Sequence, residues 1–241
     1  NGDNMILIHD GYMIDPKSGR EGNYDILIDG DKIVKIAEKI EPRGKVTRIN
    51  AEGLLVAPGL VDVHVHFRDP GFTAKEDINT GAAAAAKGGV TTVVLMANTK
   101  PAVDSEETLH YILDKGAKTG IHVTTCANVT MGMQGKQLTD MKKLAVAGAV
   151  GFTDDGVPLL DAELVRRAME ISAELDMPIS FHEEDPKYSH ACTLGTLSCG
   201  LSARGDPDAG QDRLALRAAK ARPAPGAARL GGGGRDVYDR L

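Results

Sequence analysis

No tryptophan occurs in this 241-residue chain, and aromatic residues make up only 4% of it. With so few rings, and no basic stripe for them to interleave, the chain lacks the stacking platforms and cationic tracks of a general nucleic-acid binder. Positive charge is in deficit as well. Lys and Arg number 28 against 34 Asp and Glu, a formal net charge of −6, which points to a small-molecule partner. Three cysteines, Cys126, Cys192 and Cys199, are too few for a disulfide framework and lead to the expectation of a reducing compartment, the cytoplasm. No apolar run reaches the roughly 18 residues that span a bilayer, and no signal-type segment opens the chain, so no membrane association is expected. Met5 followed by Ile6-Leu7-Ile8 reads as a natural start, with residues 1–4 as a leftover extension. What is present is a 42% hydrophobic content, enough to build one large core or two small ones.

Residues 5–57 read as short strands, Met5-His9, Asp25-Asp29, Lys32-Ala37 and Lys45-Asn50, separated by turn signals. Asp29-Gly30 between two alternating runs is a hairpin signal. From Leu60 the pattern becomes strand then helix, repeated: strands near Val61-His66, Thr91-Met96, His122-Cys126, Ala149-Phe152 and Ile179-His182. Their centres recur about every 29 residues, the length of a strand plus its crossover helix. Helices are expected over Lys75 to Lys87, stopped by Gly88-Gly89, from the acidic opening Asp104-Ser105-Glu106-Glu107, and over Asp161 to Leu175, whose Leu164, Ala168, Ile171 and Leu175 share one face. Such repeats suit a doubly wound sheet or a (β/α)8 barrel. The barrel is favoured because potential ligands fall at the C-terminal ends of at least three strands, where barrel enzymes keep their sites. The expected division is a β module at 1–57, a partial barrel at 58–188 and an Arg/Ala/Gly-rich tail at 189–241. In the tail a single lysine, Lys220, stands against seven arginines, glutamate is absent and Gly231 to Gly234 run together, a composition suited to a low-complexity end or to a segment not native to the domain.

His64-Val65-His66 is the most informative feature. Side chains at i and i+2 of a strand point the same way, so both imidazoles can reach one metal ion. Asp154 and Asp155 follow Gly151-Phe152-Thr153, and His182 ends Ile179-Ser180-Phe181, each at the C-terminal edge of its strand. Imidazoles with a carboxylate suit zinc, one ion or two, able to acidify a water and polarise a carbonyl. Hydrolysis of an amide-like bond is the chemistry this predicts. Either aspartate also suits a turn before Gly156. Arg68, two residues past His66, and Asn98, ending the second strand, are candidates to hold a substrate carboxylate. They also suit a surface pair with Asp69 and a turn before Pro101. His9, His110, His122 and His190 have no ligand-spaced companion.

The stretch from Pro58 to Gly71 containing His64-Val65-His66-Phe67-Arg68-Asp69-Pro70, together with Met96-Ala97-Asn98-Thr99-Lys100-Pro101, Gly151-Phe152-Thr153-Asp154-Asp155-Gly156 and His182-Glu183-Glu184-Asp185, resembles bacterial type I dihydroorotase of the amidohydrolase superfamily, from about Met5 to Tyr188. The resemblance implies a barrel beside a small β-sandwich part, and zinc-dependent interconversion of N-carbamoyl-L-aspartate and L-dihydroorotate in pyrimidine synthesis. It implies His64 and His66 on one metal, His182 on the second, Asp155 rather than Asp154 as the bridging catalytic carboxylate, and Arg68 and Asn98 on the substrate carboxylate. Dihydropyrimidinase, hydantoinase and allantoinase use a carboxylated lysine on strand four, and Ala147 to Gly156 contains no lysine. Another cyclic amidohydrolase is therefore the lesser alternative. So is a non-catalytic partner of aspartate transcarbamoylase, because such chains have a degraded histidine pair. A homo-oligomer or a transcarbamoylase complex is the implied assembly.

The chain also departs from that pattern. The family's strand-six histidine and its strand-eight aspartate, the proton shuttle, find no counterpart in the tail, and His190 has the wrong context. With five strands of eight, the isolated chain is expected to fold poorly or swap with a partner, and to turn over substrate weakly or not at all.

Overall fold

In the computed structural model, which describes residues 5–182, the chain divides between Gly59 and Leu60. Expectations for 183–241, including the low-complexity tail, lie outside the described residues.

In the first unit, β1 (Met5–Asp15), β2 (Arg20–Asp29), β3 (Lys32–Ala37), β4 (Thr47–Asn50) and β5 (Leu55–Val56) form one sheet, ordered β3-β2-β1-β4 with β5 also on β1. The hairpin forms at Asp29-Gly30, where Asp29 pairs with Lys32 and Gly30 takes a φ of +62°. The first strand was expected to stop at His9. It continues to Asp15 because a bulge, with Asp10 at φ 61°, resets the ladder between Ile8 and Gly11. Its first half then pairs with β4 and its second with β5, both parallel. The crossing is close at Gly11, where a Cβ would meet Val56 Cγ2 at 2.6 Å. Leu7, Met13, Ile26 and Ile40 are buried here, and the buried Asp25 carboxylate accepts the Ile40 N–H at 2.9 Å.

The second unit alternates β6 (Leu60–Val65), α1 (Ile78–Lys87), β7 (Val90–Leu95), α2 (Glu106–Gly116), β8 (His122–Thr125), α3 (Met141–Val146), β9 (Phe152–Thr153), α4 (Ala162–Leu175) and β10 (Ile179–Ser180). Strands β6, β7 and β8 are parallel neighbours, as are β9 and β10. The two groups are joined by the parallel bridge of Ala127 to Phe152 and by Val150 N–H to Thr125 O at 3.1 Å and Thr153 N–H to Ala127 O at 2.9 Å. The result is five parallel strands in chain order, a partial (β/α) barrel.

Local chemistry sets the helix ends. Lys75 was expected to begin α1, but Asp77 forms a capping box with Thr80 and fixes the start at Ile78. Gly88 and Gly89, the latter at φ +80°, end it as expected. The Asp161 side chain accepts the N–H groups of Glu163 and Leu164 at the head of α4. The six-residue α3 was not foreseen, because it is too short to show a period; Asp140 caps it. Along β7, Val93, Leu95 and Ala97 pack in the main core with Ile78, Leu109 and Ile112, while Val94 and Met96 join Cys126 in a second cluster. Val65 packs on the main core, which leaves His64 and His66 on the other side of β6.

Candidate metal centre

With Val65 half-buried against the core, the imidazoles on either side of it come together, with ring centres 5.2 Å apart and ring planes at 72°. Each turns its Nε2 to one oxygen of a single carboxylate. His64 Nε2 lies 3.6 Å from Asp155 Oδ1, and His66 Nε2 lies 3.4 Å from Asp155 Oδ2. Both separations exceed the usual N–H···O range of about 2.7–3.2 Å. They match the edge of roughly 3.3 Å between two ligand atoms on a tetrahedral ion with bonds of about 2.0–2.1 Å. Among the described residues these three side chains form the one His/Cys/Asp/Glu group with ligand atoms close enough to share an ion, all within 4.8 Å of one another. The donor set, two neutral nitrogens and a carboxylate, fits a borderline divalent cation. His182, from beyond β10, brings its Nδ1 to 4.0 Å from Asp155 Oδ1.

Asn98 ties the group together. Its Nδ2 donates to Asp155 Oδ2 at 3.1 Å, and its Oδ1 accepts from His66 Nδ1 at 3.1 Å. The carboxylate demands a donor, which orients the amide and in turn places the proton of His66 on Nδ1. The Nε2 lone pair is then free to bind a cation. This contact adds to the substrate role expected of Asn98 and was not foreseen, since nothing local marks a pairing between residues 32 positions apart.

Arg68 is reached differently from the expectation. Strand β6 stops at Val65, so strand alternation does not carry through to residue 68; Arg68 is half-buried in a left-handed turn at φ 60°. Nor does it pair with Asp69, whose carboxylate is buried against Lys115 and Tyr111.

Asp154 is not a plain turn residue. Its carboxylate is buried and accepts Val129 N–H at 2.9 Å, Thr130 N–H at 3.2 Å, the Thr130 hydroxyl and Asn128 Nδ2 at 3.3 Å. Burial pushes its pKa up, against hydrogen bonds from Thr130, Asn128 and Val129 that pull it down. Of the doublet, Asp154 anchors the end of β9 to the loop after β8, and Asp155 faces the histidines.

Residues 53–194 match the family described as Dihydro-orotase-like. The chain is 51% identical over 215 residues to a dihydroorotase of Clostridium acetobutylicum, covering 88% of this chain and 51% of that protein. With a Streptococcus thermophilus dihydroorotase it shares 55% over 182 residues, covering 76% and 43%. The chain belongs to the dihydroorotase-like family. It spans about half the length of the curated relatives it matches. Among solved structures, an L-hydantoinase from Arthrobacter aurescens superposes with a TM-score of 0.68 at 19% identity, over 91% of this chain and 50% of that one. A dihydroorotase superposes at 0.53 and 18% identity, over 76% and 52%. These likenesses establish the barrel fold. The family match ends at residue 194, close to Tyr188 where the resemblance was expected to stop, while the clostridial alignment covers 88% of the chain.

Proposed function

We propose that this chain carries the substrate and metal site of a dihydroorotase, a zinc-dependent cyclic amide hydrolase interconverting N-carbamoyl-L-aspartate and L-dihydroorotate. The observation that carries the reading is the convergence of His64, His66 and Asp155, with Asn98 orienting one imidazole and the carboxylate. Under this reading residues 1–57 are a companion β module, and 58–188 hold the site. Zinc, when bound, supplies acidification of water and polarisation of the scissile carbonyl.

The chain's own residues hold and orient. His64 and His66 present Nε2 and Asp155 its carboxylate, and these three would hold one zinc, with His182 beside Asp155 for a second. Among the described residues Asp155 is the one carboxylate that faces both imidazoles, which makes it the catalytic carboxylate of this reading. Arg68 and Asn98 would receive the carboxylate that N-carbamoyl-L-aspartate and dihydroorotate share, orienting the ring amide toward the side chains that would hold zinc. The free, buried thiol of Cys126 fits the reducing conditions of the cytoplasm.

The test is zinc titration of the purified chain beside assays in both reaction directions. His66→Ala and Asp155→Ala should each weaken zinc by at least about tenfold, while His122→Ala leaves it unchanged. Equal zinc affinity in all four proteins would refute the site. Zinc binding with preference for hydantoin over dihydroorotate would refute the substrate.

A further inference from the structure

Arg68 is held in its unusual conformation by residues on either side of it. On the N-terminal side, Phe67 is buried against α1 so closely that a Cβ on Gly81 would lie 2.5 Å from its ring. On the C-terminal side, the Asp69 carboxylate has no solvent exposure. It accepts from Lys115 Nζ at 2.5 Å and Tyr111 Oη at 2.9 Å, both on α2, and from Ile78 N–H at 3.2 Å, the first amide of α1. The turn between is closed by Phe72 N–H to Arg68 O at 2.8 Å, and its far side is fixed by Lys100 N–H to Pro70 O at 3.1 Å. A left-handed arginine persists only where its surroundings enforce it. A carboxylate buried this fully is kept only by partners that satisfy it, and here those partners span two helices.

We infer that Asp69, clamped by Lys115 and Tyr111, is the positioning residue of the site: through it helix α2 sets where the Arg68 guanidinium stands, and so how tightly a substrate carboxylate is held. The inference deepens the dihydroorotase reading and rests on it for the identity of the ligand. None of the clamp's hydrogen bonds involves His64, His66 or Asp155, so its loss should act on the carboxylate end of the ligand and spare the zinc end. Burial opposes ionisation of Asp69, but hydrogen bonds from Lys115, Ile78 and Tyr111 outweigh it and hold the carboxyl below its ordinary pKa, so the clamp is ionic at neutral pH.

The experiment uses the full chain with Lys115→Met, Tyr111→Phe as the milder variant should the first fold poorly, and Lys115→Arg as the conservative rescue. Three quantities are read: amide hydrogen exchange residue by residue, zinc affinity, and affinity for dihydroorotate by calorimetry. Expected are faster exchange at Phe72 and Lys100, zinc affinity within about twofold of wild type, and dihydroorotate binding weakened about tenfold, as for loss of a supporting partner. Lys115→Arg should restore most of the binding. Where turnover is measurable, the loss should fall on KM more than on kcat. Unchanged exchange at Phe72 and Lys100, or exchange that rises equally across the fold, overturns the inference. So does weakening of zinc and dihydroorotate in parallel. If the wild-type chain takes up zinc but not dihydroorotate, the substrate reading fails, and the exchange pattern alone still decides whether the clamp fixes the loop.

Discussion

Replacing Asp154 by alanine removes the acceptor on which the end of β9 depends. Four donors lose a partner, but not equally. Asn128 Nδ2 keeps Thr153 O at 3.2 Å, and the Thr130 hydroxyl can turn elsewhere while still accepting Gly135 N–H at 3.0 Å. The Val129 and Thr130 amides, both in a buried stretch, have no substitute acceptor at hand. Each buried donor left unpaired costs about 1–3 kcal/mol, partly offset because a carboxylate no longer has to be buried. A net loss of about 2–4 kcal/mol follows, a large part of the roughly 5–15 kcal/mol that holds a domain folded. In urea, with a slope of about 1–3 kcal/mol/M, the midpoint should fall by about 1–2 M. Asp154→Asn keeps one carbonyl oxygen toward the two amides and should lose about half as much. Because Asp155 is the next residue, zinc affinity should drop about tenfold in the alanine variant. An alanine variant within about 0.5 kcal/mol of wild type, or an asparagine variant as damaged as alanine, would refute the account of Asp154 as an anchor.

Two further outcomes are expected. Gly71→Ala meets both a φ of +94° and a Cβ 2.1 Å from Lys100 O, whereas Gly19→Ala meets a φ of +68° with nothing within 4 Å. Thermal unfolding should show the first losing about 3 kcal/mol or more and the second only about 1–2 kcal/mol, and equal losses would contradict the close approach. Asp69 has a folded pKa below its unfolded value near 3.8. Its contribution to stability is therefore complete above that unfolded value and is lost as pH falls through the folded pKa. The stability gap between wild type and Asp69→Asn should be constant near neutrality and close in acid; a gap that widens on acidification would reverse the sign and sink the argument.

Much of this was legible in the chain because the determinants are local. The His64-Val65-His66 spacing encodes convergence in two residues, Asp161 sits beside the helix it starts, and Asp29-Gly30 makes its own turn. Strand β1 was misjudged because Asp10-Gly11 reads as a break, whereas a bulge lets pairing resume beyond it. Short α3 carries too few residues to show a helical period. The split between Asp154 and Asp155 was out of reach of the doublet itself: what distinguishes them is Asn128 to Thr130 on one side and the histidines on the other, all distant in sequence. Lys115 and Tyr111 likewise read as ordinary surface positions of an amphipathic helix until the fold sets Asp69 beneath them.

His66 and Asp155 stand at opposite ends of three successive crossovers, β6 to β7 to β8 to β9. The imidazole pair lies within three residues, but its carboxylate belongs to a strand end three crossovers further along the chain. Closing so long a loop costs entropy before any contact rewards it. A cation gripping all three side chains would recognise only the assembled state and would pull the equilibrium toward it, by about 2.7 kcal/mol at a hundred times the dissociation constant. Scarcity of that ion during synthesis would then be felt first as a shortage of correctly built protein, before any slowing of chemistry.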